Sequence, residues 1–273
     1  MTAPEHVTRK PVARSRPGQG SAFSSELLKL VSLPAERALL AAAVGSAGLI
    51  AALIYISVPT TTGRALSELA PSEILGAGML GVDAAAFVAI IVAAIHIGSE
   101  YSSGMIESTL TITPARRYVL VGKFATVALV AVAVGVAAAA LCALAAVMVA
   151  GGLGIGASAV FAGGGIQFTL GSVATPVFYA LVGAAAAFIF RSTALGIAVP
   201  LALRALTGIA GWFGEPISAV LVPIMPGAAL HSLSGAATGH ESIGMIGALA
   251  SLVIWLGVGI GAAAWRFLRG DAQ

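Results

Sequence analysis

Six stretches of this chain are each long and apolar enough to require a bilayer around them. They run roughly over 38–58, 74–98, 118–150, 168–190, 194–211 and 244–267. A helix needs about 20 apolar residues to cross the hydrocarbon of a membrane. Core burial is no alternative destination for so much apolar chain. Of the 273 residues 59% are hydrophobic and 9% charged, with a mean hydropathy of +1.02, whereas a soluble domain carries about 25% charged residues. Too few polar side chains are present to cover a folded surface of that size. Soluble enzymes, nucleic-acid-binding domains and disulfide scaffolds are excluded. The single cysteine, Cys142, sits inside an apolar run and reads as a small packing residue. The expected class is an all-α integral membrane protein with six transmembrane helices in one domain, residues 21–273.

Basic residues orient the spans. With the amino terminus inside, twelve of the fourteen Lys and Arg lie on the inner side or at its boundary, leaving Arg64 outside and Arg204 within a span. Both termini are therefore expected to be cytoplasmic. The net charge of +3 reflects this bias rather than a polyanionic partner. The third span exceeds what a bilayer requires, so it should tilt or project into water.

Residues 1–20 are polar and basic and contain no apolar signal region, so a disordered cytoplasmic tail is expected. Residues 21–37 follow with Leu27, Leu28, Leu30 and Val31 at helical spacing and Ser24 or Ser25 as a cap. This reads as an amphipathic helix in the interface plane, broken at Pro34. Between spans five and six, residues 212–243 hold Pro216, Pro223 and Pro226 around the apolar stretch ISAVLVPIMP. That stretch is too short to span and reads as a re-entrant outer segment. Residues 151–167, glycine-rich and without charge, form a further outer segment that is not a simple loop.

Several chemistries are missing. Gly122-Lys123 is followed by Phe124, and Arg117 stands where a phosphate-binding loop needs glycine, so the chain should not hydrolyse ATP. No H-E-x-x-H is present. Neither Gly154-Ile155-Gly156 nor the serine in Gly156-Ala157-Ser158-Ala159 has the context of a nucleotide or nucleophile loop. His231 and His240 are spaced for no metal site, and no metal is expected.

The most informative inner segment is 98–123, GSEYSSGMIESTLTITPARRYVLVGK. Gly98 and Gly104 permit a sharp turn. Met105 to Thr111 spaces Ile106 and Leu110 for one helical face, and Thr113-Pro114 reads as a cap with proline at the next helix's first position. Arg116 and Arg117 then fall in a first turn, where cations oppose the helix dipole and need an offsetting partner. A short helix is thus held between two spans.

Glu100-Tyr101-Ser102-Ser103-Gly104, then Glu107, Leu110, Thr113-Pro114, Arg116-Arg117 and a closing Lys123 resemble the first inner loop of ABC-2 type exporter permeases. That family's pattern is approximately G-x-E-Y-x-x-G-T-hydrophobic-x-x-x-L-x-x-P-x-R. Met105 stands where threonine is common, and the arginine is doubled. The resemblance extends over nearly all of the chain after residue 20. It implies a bacterial plasma-membrane exporter half that pairs with a second permease subunit, binds no cofactor itself, and docks a separate ATPase subunit carrying ATP and Mg. It further implies that the inner loop is the coupling helix, with Glu100 and Tyr101 fixing its base, Gly104 at its turn, Ile106, Glu107 and Leu110 on its docking face, and Arg116 and Arg117 on the rim.

Asp83 and Arg204 each fall near the middle of a span. Ionisable groups there are costly and usually paired, so they are expected to face each other or line a path. With His96 near the inner end of span two, they also leave open an ion-gradient-driven secondary transporter. His96 itself reads as an interfacial histidine. Gly257-x-x-x-Gly261 in span six permits close helix approach and a dimer contact.

Overall fold

The structure, a computed structural model, describes residues 19–112 and 115–269. Residues 1–18 of the expected tail and the Thr113-Pro114 cap lie outside the described residues. Among those described, every regular element is helical. The chain runs α1 (Gln19–Ser32), α2 (Pro34–Thr62), α3 (Pro71–Ser102), α4 (Met105–Ile112), α5 (Arg116–Gly152), α6 (Ala157–Phe161), α7 (Gly165–Ser172), α8 (Ala174–Phe190), α9 (Thr193–Ala210), α10 (Ile217–Ile224), α11 (Pro226–Ser234) and α12 (Gly244–Arg269). Six helices are long and apolar enough to cross a membrane: α2, α3, α5, α7 with α8, α9 and α12. Each matches one expected stretch within a few residues. The 37 residues of α5 make it about 55 Å long, well beyond a bilayer's hydrocarbon.

Local chemistry sets the boundaries. Pro34, Pro71 and Pro226 sit in the first turns of α2, α3 and α11, where a missing N–H costs nothing. Glu73 accepts from the Ala70 N–H at 2.7 Å and holds the start of α3. The N-terminal helix starts at Gln19, earlier than a Ser24 or Ser25 cap would place it, and ends at the expected break before Pro34. Residues 151–167 contain the short helix α6. The segment after α9 folds as α10 and α11, two short helices bent by 72° at Met225.

Helix α3 is the central post. It packs against α2, α5, α8 and α9, while α9 and α12 are the least buried long helices. Toward its N-terminal end the packing is close because the residues are small. A Cβ on Gly81 would lie 2.2 Å from the Ala47 carbonyl oxygen and 2.8 Å from Cys142 Sγ, so α2, α3 and α5 meet with almost no side chain between them. Cys142 is fully buried there as a packing residue. Toward the other end, near α4, larger groups fill the space: Phe188 stacks on Phe124 at 5.4 Å and meets Phe267 edge-on at 5.2 Å. Gly98 lies inside α3 and makes no turn, correcting the sequence reading. A Cβ there would fall 2.6 Å from the Thr193 backbone, so Gly98 is the contact point of α3 with α9. The turn into α4 belongs to Gly104, at φ +71°.

Candidate functional site

Two polar centres lie within this apolar bundle. The first is a charge network at the root of α4. Glu26 and Lys29 project from α1, His96 and Glu100 from α3, and Lys123 from α5. Lys123 Nζ donates to Glu26 Oε2 at 2.7 Å and lies 2.9 Å from Glu100 Oε1. Lys29 Nζ donates to Glu26 Oε1 and to Glu100 Oε1, each at 2.8 Å. Two ammonium groups and two carboxylates therefore close a ring across three helices. His96 Nε2 lies 3.3 Å from Glu26 Oε2. Lys123 is fully buried, and Glu26, His96 and Glu100 are each under 5% exposed. Glu36 of α2 is buried close by.

Burial by itself would raise the Glu26 carboxyl. The His96 ring and the two ammonium groups outweigh that and hold it far below the usual carboxylate range. Burial likewise opposes charge on Lys29, but its bonds to Glu100 and Glu26 win and raise it above the usual ammonium value. Two of these roles differ from the sequence reading. His96 is buried among α1, α3 and α5, against Glu26, instead of standing alone at the end of its span. Lys123 closes no loop, because it sits in the second turn of α5 with its charge fully enclosed. Glu26 and Lys29 have no part in the expected site, although both belong to this network. A usable signal was present: a lysine inside an apolar run demands a carboxylate, and His96 and Glu100 share one helix face at i, i+4.

Helix α4 stands on this root. Ile106 is 5% exposed and packs into the cluster around Ile97, Val119 and Phe188, with Tyr101 and Leu110 against its edge. Ile106 therefore turns into the bundle and anchors α4 instead of facing a partner, while Leu110 is half-buried at the cluster's edge. The outward side carries Met105, Glu107, Ser108 and Thr111. Arg116 turns inward from the rim and donates to the Phe267 carbonyl at 3.2 Å, in the last turn of α12. That helix C-terminus supplies the negative end needed to offset a cation in the first turn of α5. Arg117 remains exposed beside the Tyr118 ring, 4.8 Å from its centroid. Ala115 occupies the N-cap position of α5 and makes no side-chain capping bond.

The second centre lies halfway along the long helices. Arg204 Nη2 of α9 is 2.8 Å from Asp83 Oδ2 of α3. The guanidinium also lies 5.2 Å from the Phe87 ring centroid and 5.5 Å from that of Tyr179. The pair borders a partly open cavity of about 290 Å3 lined by α3, α7, α8, α9 and α11. At the cavity's edge, His231 Nδ1 lies 2.9 Å from Glu241 Oε2. His240 pairs with Glu215. Among the described residues no cluster suited to a metal ion occurs. Gly257 and Gly261 are exposed, and a Cβ on either would meet nothing within 4 Å, so this chain packs none of its own helices against them.

Fold and centres together define an all-helical protein with the helices of a multi-pass membrane protein. No family model matches the chain, and no curated protein does.

Proposed function

We propose that the chain is the permease subunit of an ATP-binding-cassette exporter of the ABC-2 type. It forms the translocation path for a lipid-like, peptide or drug substrate and is driven by a separate cytoplasmic ATPase. The observation that carries this reading is helix α4: its apolar side is seated in the bundle, its base adjoins the buried charge ring, and its polar side is exposed. A coupling element must be stiff at the root and accessible at the tip. Because the ring joins α1, α3 and α5, a push on α4 reaches three helices as one rigid-body movement. ATP and Mg belong to the partner ATPase, a second permease subunit completes the path, and both termini face the cytoplasm of a bacterial cell. The bent pair α10–α11 caps the outer exit.

The Asp83–Arg204 pair beside a cavity favours a second reading, a carrier driven by an ion gradient. One set of measurements separates the two. Purified from the cell that makes it, the full chain should bring down an ATP-binding-cassette ATPase. Glu107→Arg should weaken that capture at least tenfold with no change in melting temperature. Unchanged capture removes Glu107 from the docking face. Vanadate-sensitive transport supports the exporter, and sensitivity to uncouplers alone supports the carrier.

A further inference from the structure

The cavity beside Asp83 is built for one kind of chemical group. Two of its hydroxyls spend their protons on their own helices, Ser172 donating to the Thr169 carbonyl at 2.8 Å and Ser234 to the His231 carbonyl at 3.0 Å, while Thr207 donates to the Leu203 carbonyl at 3.2 Å and also bonds the Tyr179 hydroxyl. Their remaining capacity is as acceptors. Arg204 is engaged by Asp83 and flanked by two rings. Asp83 is the more open member of the pair, its side chain 38% exposed against 26% for Arg204, and only Oδ2 lies within reach of the guanidinium. The lining carries two carboxylates, Asp83 and Glu241, and one guanidinium, and Glu241 is already paired with the His231 ring at 2.9 Å. Acceptor oxygens, the open side of Asp83 foremost, therefore face a space whose remaining walls are apolar, among them Met79, Leu80, Phe168 and Leu230.

We infer that this cavity binds a protonated primary amine carried on an apolar body, the ammonium accepted by Asp83 and the neighbouring hydroxyl oxygens and the body lying along the apolar wall. A volume of about 290 Å3 suits such a headgroup and the first part of its chain. An ammonium has three donors and no acceptor, which complements this lining. A carboxylate or sulfate meets Asp83 and Glu241 as like charges. The inference gives the transport reading its substrate class and rests on it, with Asp83 as the group that touches the ligand.

The test uses the full chain in phosphatidylcholine nanodiscs with radiolabelled dodecylamine as probe and empty discs as background. Saturable binding is expected, competed by unlabelled amine and at least tenfold less well by dodecanoate or dodecanol. Asp83→Asn should weaken binding at least tenfold. A second variant guards against misfolding: a Cβ on Gly76 meets only Phe168, at an ordinary 3.8 Å, so Gly76→Leu fills the cavity at tolerable packing and should abolish binding at native melting temperature. Equal competition by dodecanoate, or wild-type binding by folded Gly76→Leu, overturns the proposal. Phosphatidylethanolamine in the discs distinguishes sources: displacement of the probe identifies an aminolipid headgroup, and undiminished binding identifies a free amphiphilic amine. No ATPase enters the assay. A chain that binds the amine but captures no ATPase sinks the exporter reading alone, and one that captures ATPase without binding amine sinks this inference alone.

Discussion

Lys123 donates to Glu26 at 2.7 Å across 97 residues of sequence, tying the amphipathic N-terminal helix to the third long helix. Removing one partner of a buried pair leaves an uncompensated charge. Lys123→Met should therefore destabilise the protein by about 3–5 kcal/mol. Lys29 is one-third exposed, and water can replace it, so Lys29→Met should cost markedly less. Thermal unfolding in detergent ranks the two, and equal losses would show that the ring is not organised around Lys123.

The same ring predicts acid sensitivity. Glu26 is depressed in the fold, so its contribution is complete above its ordinary value of 4.5 and is lost as pH falls toward the lower folded value. Lys29 is raised, so its share is complete below 10.5 and fades only above that. Melting temperature should thus fall between pH 5 and 3 in the wild type and fall less steeply in Glu26→Gln. Parallel curves would assign the acid loss to other carboxylates.

Gly98 brings α3 and α9 together at Thr193. A methyl there must part the helices, so Gly98→Ala should destabilise by about 1–3 kcal/mol despite its better helix propensity. Gly45, in α2, faces open space, and Gly45→Ala should be neutral or stabilising. Paired melting curves decide, and a neutral Gly98→Ala would mean that the helices separate at no cost.

Ile106 and Glu107 are neighbours with opposite duties. Ile106→Ala opens a cavity under α4 and should destabilise by about 2–3 kcal/mol, speeding amide exchange through Met105–Ile112. Glu107→Arg, on the exposed side, should stay within about 0.5 kcal/mol of wild type. Matching exchange rates in both variants would separate α4 from the bundle.

Asp83 and Arg204 form one unit if the pair matters to folding. Each reversal, Asp83→Arg or Arg204→Asp, should lower yield and melting temperature, and the double swap should recover part of both, a coupling of about 1–3 kcal/mol. Additive losses would argue against the pair.

The long helices were legible from residue order because their cause is local and repeated. A run of twenty apolar side chains must satisfy its own backbone wherever it is buried, and only a helix does that within one segment. Met105–Ile112 and the break at Pro34 were legible for similar reasons, set by neighbours within a turn or two. What lies inside the bundle was not. The role of Gly98 depends on Thr193, the offset for Arg116 on the last turn of α12, and the burial of Ile106 on Phe188 and Val119. The ring of Glu26, Lys29, Glu100 and Lys123 exists only because three helices far apart in sequence bring their charged turns to one level. Hydropathy ranks each residue by its own side chain, whereas enclosure of a lysine depends on what other segments place around it, and that is decided by packing.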